Sequence, residues 1–217
     1  VYVLKDGKNV GCYKHSEVNE DLLRSKMVGH EFHDEYYLIS KQRQDIGDLV
    51  LELKGVTRRG LFKEINFTLG RGEILSICGT VGSGKEELCK AIYGIGKIDS
   101  GSIFIEGKEV IINSSVDAFT YGIGYVPEDR RNEGLVLGLP VADNITLSVL
   151  REMKIGPFLD RNKQNDLAEE MIDKFNIKTP TSKTLCLNLS GGNQQKVVLA
   201  KWLASNMKIL IMIYPTR

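Results

Sequence analysis

The sequence predicts an α/β fold that carries a largely helical lobe, and three observations predict it. Short apolar runs with strand-like alternation recur through residues 49–126, and several of them end at glycine or proline. Residues 141–177 instead repeat their apolar side chains at helical spacing, as Leu167 and Met171 do. A helical run then leads into KILIMI (208–213), which is typical of a buried parallel strand. Strands that alternate with helices favour an α/β domain.

Composition excludes several classes of protein. The chain has 217 residues, a formal net charge of +1 and 42% hydrophobic residues, as expected for a soluble protein of one or two domains. Because there is no basic surplus to bind a phosphate backbone, we expect no nucleic-acid partner. The apolar runs are too short to span a membrane. The four cysteines form no CxxC pair, which favours reduced thiols in a cytosolic protein.

The first 45 residues are predicted to be separate from the rest. The segment VYVLKDGKNVG (1–11) predicts two short strands around a turn, and a helix is predicted to begin with Ser16 as its N-cap. Residues 30–45 are polar, mixed in charge and without clear periodicity, which predicts a linker. We therefore expect residues 46–217 to form the main domain.

The main domain begins with a series of strand-like segments. They are LVLELKGV (49–56), INFTL (65–69), EILSIC (73–78), a hairpin over 102–112 that turns at Gly107, and GIGYVP (122–127). Residues 141–177 carry no strand pattern and are predicted to be helical throughout. This order of elements predicts that the helical lobe follows most of the strands.

The loop after the predicted strand 73–78 matches the GxxxxGK pattern of phosphate-binding loops. It consists of Gly79, Thr80, Val81, Gly82, Ser83, Gly84 and Lys85. Glycines let successive backbone N–H groups point at phosphate oxygens, and the N-terminus of the following helix adds positive potential. Lys85 would supply a charge to the β- and γ-phosphates. A glycine-rich turn that binds nothing is the alternative, and the strand–loop–helix context disfavours it.

Glu86 departs from this pattern. A serine or threonine normally follows the lysine, and its hydroxyl holds Mg²⁺. The carboxylate of Glu86 is longer and repels phosphates, so we expect ATP or ADP at this loop but a weakened Mg²⁺ site.

A second glycine-rich segment, LSGGNQQK, opens the last predicted helix. Ser190 can cap this helix, while Gly191 and Gly192 leave backbone amides facing outward as an anion-binding helix start. An ordinary serine-capped helix is the alternative. The segment closely resembles the LSGGQ-type signature of ABC ATPases, in the extended form of ABC sugar importers. That resemblance implies that one ATPase half closes over the nucleotide of the other through Ser190, Gly191, Gly192 and Gln194.

PEDRRNEGL (127–135) is a strand exit into a charged loop, and a solvated turn is its simplest interpretation. The segment resembles the second half of the ribose, galactose and xylose importer ATPases, which carry two ATPase halves in one chain. Glu128 stands where that family has a glutamine that senses the metal and faces the membrane subunit. The resemblance covers the whole chain. It implies that residues 1–45 are the tail of a preceding half plus a linker, and that 46–217 are a nucleotide-binding domain incomplete at its C-terminus.

The resemblance also implies a fold and a set of partners. The fold is a P-loop NTPase (RecA-like) ABC ATPase core with an antiparallel β-lobe and a helical lobe near 138–188. The partners are the first ATPase half and a membrane permease, which would place the chain in the cytoplasm at the inner face of the cell membrane. The implied function is the coupling of ATP binding and hydrolysis to sugar import. A soluble ABC-type ATPase not tied to transport and a non-catalytic nucleotide-binding or regulatory module are the alternatives.

Two carboxylates of the family pattern are replaced. After the strand KILIMI the family has Asp-Glu-Pro-Thr, whereas this chain has Ile213 and Tyr214 at the two acidic positions. Neither residue can act as a carboxylate base. The family's switch histidine lies further downstream, and the histidines of this chain are His15, His30 and His33. We therefore expect no catalytic residue and no metal ligand at this site. The parent protein is expected to be a sugar-transporting ATPase, and this chain alone is expected to be inactive.

Overall fold

The computed structural model describes residues 1–5, 8–19, 22–23, 25–26 and 46–215. The chain divides into two compact units, one within residues 1–45 and one within residues 46–217. In the first unit, β1 (Tyr2–Lys5) and β2 (Lys8–Cys12) pair as an antiparallel hairpin. This pairing confirms the two strands expected there.

The helix cap predicted for the first unit is wrong. Ser16 lies inside a short 3₁₀ turn, His15–Glu17, and does not stand at the start of the helix that follows. Asn19 takes the capping role, because its Oδ1 accepts a hydrogen bond of 2.8 Å from the backbone N–H of Leu22. Both side chains can cap a helix, and periodicity alone did not separate them. The predicted linker, residues 30–45, lies outside the described residues.

An antiparallel sheet of four strands opens the second unit. Its order is β4-β3-β5-β6, with β3 (Leu49–Arg58), β4 (Phe62–Gly70), β5 (Ser100–Ile105) and β6 (Lys108–Val110). Leu51 and Leu53 of the central strand point into the core, at 3% and 2% exposure, as the alternating pattern predicts. Gly107 has a φ of 77°, which allows the tight turn between β5 and β6.

The strand predicted over residues 73–78 is wrong. These residues form no strand, and the side chain of Ile74 is 91% exposed. An apolar run has strand propensity, but a strand also needs a neighbour with which to exchange backbone hydrogen bonds. The neighbouring apolar strands instead pair with each other. β7 (Ile123–Val126) and β10 (Ile209–Met212) run parallel, with Ile209 opposite Ile123.

Helices surround these strands. They are α1 (Lys85–Ile92), α2 (Ser115–Thr120), α3 (Val141–Thr146), α4 (Arg161–Lys174) and α5 (Gly191–Ala204). A 3₁₀ helix, Leu147–Met153, follows α3. None of the helices that the structure describes is long and apolar enough to cross a membrane.

The helical lobe differs from its prediction in one place. A hairpin of two short strands, β8 (Lys154–Ile155) and β9 (Phe158–Leu159), interrupts the predicted helical stretch. Gly156 has a φ of 61° and precedes a proline, and this pair stops the helix and reverses the chain. The rest of the predicted α/β fold, with its antiparallel lobe and its helical lobe, is confirmed.

A shared core joins the parallel strands to the helices. The ring of Tyr93 stacks on that of Tyr125 at 4.8 Å between centroids, and Trp202 meets Tyr93 edge-on at 6.2 Å. Asn144 is 1% exposed, and its amide exchanges hydrogen bonds with both backbone groups of Val136, at 2.8 and 3.0 Å. The start of the helical lobe is therefore fixed to the segment that follows β7.

Removal of residues 1–42 is expected to leave the affinity for ADP unchanged within a few-fold. The reason is that these residues belong to a unit of their own and contain no part of the glycine-rich loop. Calorimetric titration of the shortened and the complete chain with ADP measures the difference. A loss of about a hundredfold or more would contradict the proposed boundary.

Candidate functional site

The glycine-rich loop 79–85 is tightly packed at two of its glycines, Gly79 and Gly84. A Cβ atom at Gly79 would lie 2.5 Å from Ser83 Oγ, so the two ends of the curl leave no room for a side chain. Gly84 has a φ of 86°, and a Cβ atom there would collide with the carbonyl oxygen of Leu61. Only glycine tolerates both the positive φ and the close contact with Leu61 at position 84. The loop therefore presents bare backbone next to the N-terminus of α1.

Lys85, the last residue of the loop, is also the first residue of α1. Its ammonium already contacts two groups of the protein. The ammonium of Lys85 donates to the carbonyl oxygen of Thr80 at 3.1 Å. It also lies 3.8 Å from Oε1 of Glu86, and the two side chains are 16% and 31% exposed. The separation of 3.8 Å is long for an ion pair, so we expect that a competing anion can replace it.

Glu86 and Tyr214, the two residues at which this chain departs most from the expected pattern, contact each other. The hydroxyl of Tyr214 donates to Oε1 of Glu86 at 2.7 Å, across 128 residues of sequence. The ammonium of Lys85 lies 5.7 Å from the centroid of the Tyr214 ring. These three residues form what we call the Lys85–Glu86–Tyr214 cluster. Sequence analysis identified its members, but it gave no signal that they touch.

A cavity of about 80 Å³ adjoins this cluster. It brings together Glu86, Glu128 and Ile213, which were predicted site residues, and none of the residues that line it belongs to the signature segment. Its other lining residues are Asp129 and Glu133 of the charged segment PEDRRNEGL, together with Lys90 and Tyr125, which no sequence motif marks. Four carboxylates against one ammonium make the cavity unfavourable for a polyanion.

Tyr125 supplies a neutral wall to this cavity. Burial raises the pKa of its hydroxyl, and the carboxylates of Glu133 and Glu86 raise that pKa further. The hydroxyl therefore stays protonated over the physiological range. Among the residues that the structure describes, no group of three or more His, Cys, Asp or Glu side chains is arranged to hold a metal ion.

Ser190 stands at the N-cap position of α5, but its hydroxyl makes no capping hydrogen bond. It accepts a bond of 3.0 Å from Nδ2 of Asn193 instead. The predicted side-chain cap is therefore wrong, because the amide of Asn193 competes for the same oxygen. Ser190 and Gly192 are exposed, and no heavy atom lies within 4 Å of a Cβ built on Gly192. The start of α5 is thus open to a partner.

Two further side chains, those of Gln194 and Arg130, contact the signature segment. Gln194 is 2% exposed, and its Nε2 donates to the carbonyl oxygen of Cys186 at 3.0 Å. Its amide thus holds the start of α5 against the segment that contains Cys186, and its place among the residues that close over a nucleotide stays a prediction. A Cβ atom at Gly191 would lie 2.6 Å from the guanidinium of Arg130, so this glycine is covered by the charged loop.

The family follows from a comparison with known sequences. Residues 62–217 match the sequence profile that defines the ABC transporter family. The chain belongs to the ABC transporter family. The matched region contains the glycine-rich loop, the charged loop and the signature segment, so the three motifs occur together in one domain of this family.

Several curated relatives match the complete chain. A ribose import ATP-binding protein RbsA from Bacillus licheniformis is 38% identical over 217 residues, which are 100% of this chain and 43% of the relative. The protein of the same name from Clostridium perfringens is 42% identical over 219 residues, again 100% of this chain and 43% of the relative. The chain therefore spans less than half the length of the curated relatives it matches.

Solved ATP-binding cassettes share the fold. A dimeric cassette in a post-hydrolysis state, bound to ADP and Pi, aligns with a TM-score of 0.61 and 24% identity over 76% of this chain and 74% of its own. CbiO1 of Clostridium perfringens, part of the ABC transporter complex CbiONQ, aligns with a TM-score of 0.62 and 23% identity over 76% of this chain and 65% of its own. These matches confirm the predicted P-loop NTPase fold of an ABC ATPase.

Proposed function

We propose that this chain is the second ATP-binding half of an ABC importer for a sugar. The observation that carries the proposal is the similarity of the complete chain to ribose import ATP-binding proteins. In the proposed role, residues 1–45 are the tail of the first half plus a linker, and residues 46–217 form the second nucleotide-binding domain. The first half and a membrane permease are its partners, and it acts in the cytoplasm at the inner face of the membrane.

The nucleotide site of this half is proposed to bind without catalysis. ATP or ADP would be held by the ammonium of Lys85 and by the backbone amides around Gly82 and Gly84, and would supply the phosphates that the partner half recognises. Ile213 offers no oxygen for metal support or water activation. Tyr214 directs its hydroxyl at Glu86. At these two positions the chain therefore has no carboxylate that could take a proton from water.

Magnesium does not fit the residues that stand at its usual position. Oε1 of Glu86 already accepts the hydroxyl of Tyr214 at 2.7 Å and lies 3.8 Å from the ammonium of Lys85. A hard cation prefers free carboxylate oxygens and would also face that ammonium. We infer that nucleotide binds here with little dependence on magnesium.

The electrostatics of the loop predict weak binding. Backbone amides and Lys85 favour an anion at the N-terminus of α1. The carboxylate of Glu86 in the first turn opposes this by up to about 3 kcal/mol, for charges about 6 Å apart at an effective dielectric constant of about 20. The ion pair to Lys85 moderates that repulsion. We expect a dissociation constant for ADP between about 0.1 and 10 mM.

Glu86→Thr is expected to tighten ADP binding about tenfold without restoring turnover, because repulsion is removed while Tyr214 remains unable to activate water. Calorimetric titration with ADP, in magnesium and in EDTA, measures the affinity, and phosphate release from ATP measures the turnover. Glu87→Thr is the matched control, since Glu87 lies in the same first turn of α1 and makes no part of the cluster. Micromolar affinity that disappears in EDTA would show an intact metal site and contradict the proposal.

The transport role itself is tested on the parent protein. ATP turnover is measured with and without the permease, and stimulation by the permease is the expected result. An ATP turnover rate that is the same with and without the permease would favour a soluble ABC-type ATPase instead.

A further inference from the structure

The charged loop after β7 folds into a compact turn of its own. Residues Arg130–Gly134 form one π-helical turn, which we call the Arg130–Gly134 turn. Oδ1 of Asp129 accepts hydrogen bonds of 3.1 Å from the backbone N–H groups of Arg131 and Asn132. These hydrogen bonds stabilise the start of the turn from within the loop. The position of the turn relative to the rest of the domain depends on the contacts of its other end.

A buried lysine of the signature helix holds that other end. The ammonium of Lys201 donates to the carbonyl oxygen of Gly134 at 2.8 Å, and Lys201 is only 9% exposed. Gly134 is itself buried, and a Cβ atom on it would lie 3.1 Å from Val198 of the same helix. Lys201 also lies over the ring of Trp202, at 4.8 Å from its centroid. The end of the turn is thus pressed against α5 and fastened by one charge-assisted hydrogen bond.

The start of the turn reaches the opposite end of the same helix. The guanidinium of Arg130 covers Gly191, at 2.6 Å from the place of a Cβ atom. Gly191 and Lys201 are ten residues apart, which corresponds to about 15 Å along an α-helix. The turn therefore contacts α5 near both of its ends, beside the signature glycines and beside the buried lysine.

Burial of a lysine is costly, and stability alone does not account for it. Burial lowers the pKa of the Lys201 ammonium to about 8, so the group is still mostly charged at neutral pH. A charge in an apolar interior costs free energy unless it is paired or hydrogen-bonded. A lysine here instead provides a directed donor to one carbonyl group, which an apolar residue cannot provide.

We propose that Lys201 is a positioning residue that fixes the Arg130–Gly134 turn to the signature helix. The turn and the start of α5 then keep one relative position, and a displacement of either is passed to the other. Within the proposed function, on which this consequence rests, the loop at Glu128 and the signature segment would respond together to nucleotide and permease. The positioning itself depends only on the contacts of Lys201.

Amide hydrogen exchange tests this on the chain alone, without nucleotide or partner, so that the result is independent of the transport role. In Lys201→Met, exchange across residues 130–136 is expected to be at least about fivefold faster than in the wild type. Lys201→Arg keeps a charged donor and is expected to stay within about twofold. Lys196→Met is the matched control, because Lys196 lies on the same helix but donates to the carbonyl oxygen of Asn176, at 2.7 Å.

Each outcome bears on the proposal. Faster exchange in Lys201→Met, with Lys201→Arg and Lys196→Met close to the wild type, supports it. The proposal is overturned if exchange across residues 130–136 speeds up less than fivefold in Lys201→Met. It is also overturned if Lys196→Met speeds up exchange as much, or if exchange in Lys201→Arg is as fast as in Lys201→Met. Should Lys201→Met not fold, Lys201→Gln takes its place with the same thresholds, because its amide is too short to replace the lysine's reach.

Discussion

The purified chain is expected to release no phosphate from ATP above the level of a protein-free blank. Metal support and water activation each contribute orders of magnitude to phosphoryl transfer. Neither Ile213 nor Tyr214 supplies a carboxylate for these roles, and Tyr214 instead donates to Glu86. A continuous assay of phosphate release at millimolar ATP, on the wild type and on Lys85→Ala, tests this expectation. Steady release that Lys85→Ala abolishes would contradict it.

A single carboxylate is not expected to repair the site. In Tyr214→Glu, the new carboxylate would lie beside Glu86, at the place where the wild type has a hydrogen bond of 2.7 Å. Two like charges at such a distance oppose each other, so one of them would be protonated or displaced. Phosphate release by Tyr214→Glu is therefore expected to remain at the blank level in the same assay.

The elements that the sequence predicts well are those whose partners are local or whose pattern is strict. The hairpin β5–β6 is set by alternation and by Gly107, and β7 and β10 are short apolar runs that pair in parallel. Residues 73–78 have the same apolar character, but they form no strand. Their pattern gives propensity, whereas pairing depends on distant segments that no local pattern encodes.

The candidate site shows the same division. Motif spacing identifies Lys85 and Glu86 in the loop, and Tyr214 by its place after β10. The hydrogen bond between Glu86 and Tyr214 joins residues 128 positions apart, and only the folded chain shows it. The buried amide of Gln194 and the buried ammonium of Lys201 also escape prediction. A polar residue on a helix is normally taken to face solvent, and burial follows only from the surrounding packing.

Ser190→Arg is expected to weaken the association of this chain with the first ATPase half that we propose as its partner, by at least about tenfold at saturating ATP. Ser190 is exposed and Gly192 has open space around it, so the start of α5 can approach a phosphate closely. In the proposed arrangement, an arginine side chain would fill the space between the γ-phosphate and the facing loop of the partner. Because the Ser190 hydroxyl makes no capping bond, the fold is expected to tolerate the change.

Lys85→Ala provides the matched comparison for this prediction. It removes the charge from the chain's own phosphate loop and leaves the signature segment intact. If that loop binds nucleotide only weakly, association with the first half should change by no more than a few-fold. The two substitutions therefore separate the nucleotide site proposed for this chain from the site that it is proposed to complete on its partner.

The central claim is that the signature segment serves a nucleotide held by the other half, while the chain's own loop contributes little to that association. Sedimentation analysis of the chain with the first half at saturating ATP tests it most directly, with wild type, Ser190→Arg and Lys85→Ala compared. The account predicts a weakened complex for Ser190→Arg alone. An undiminished complex for Ser190→Arg, or a complex lost only in Lys85→Ala, would contradict it.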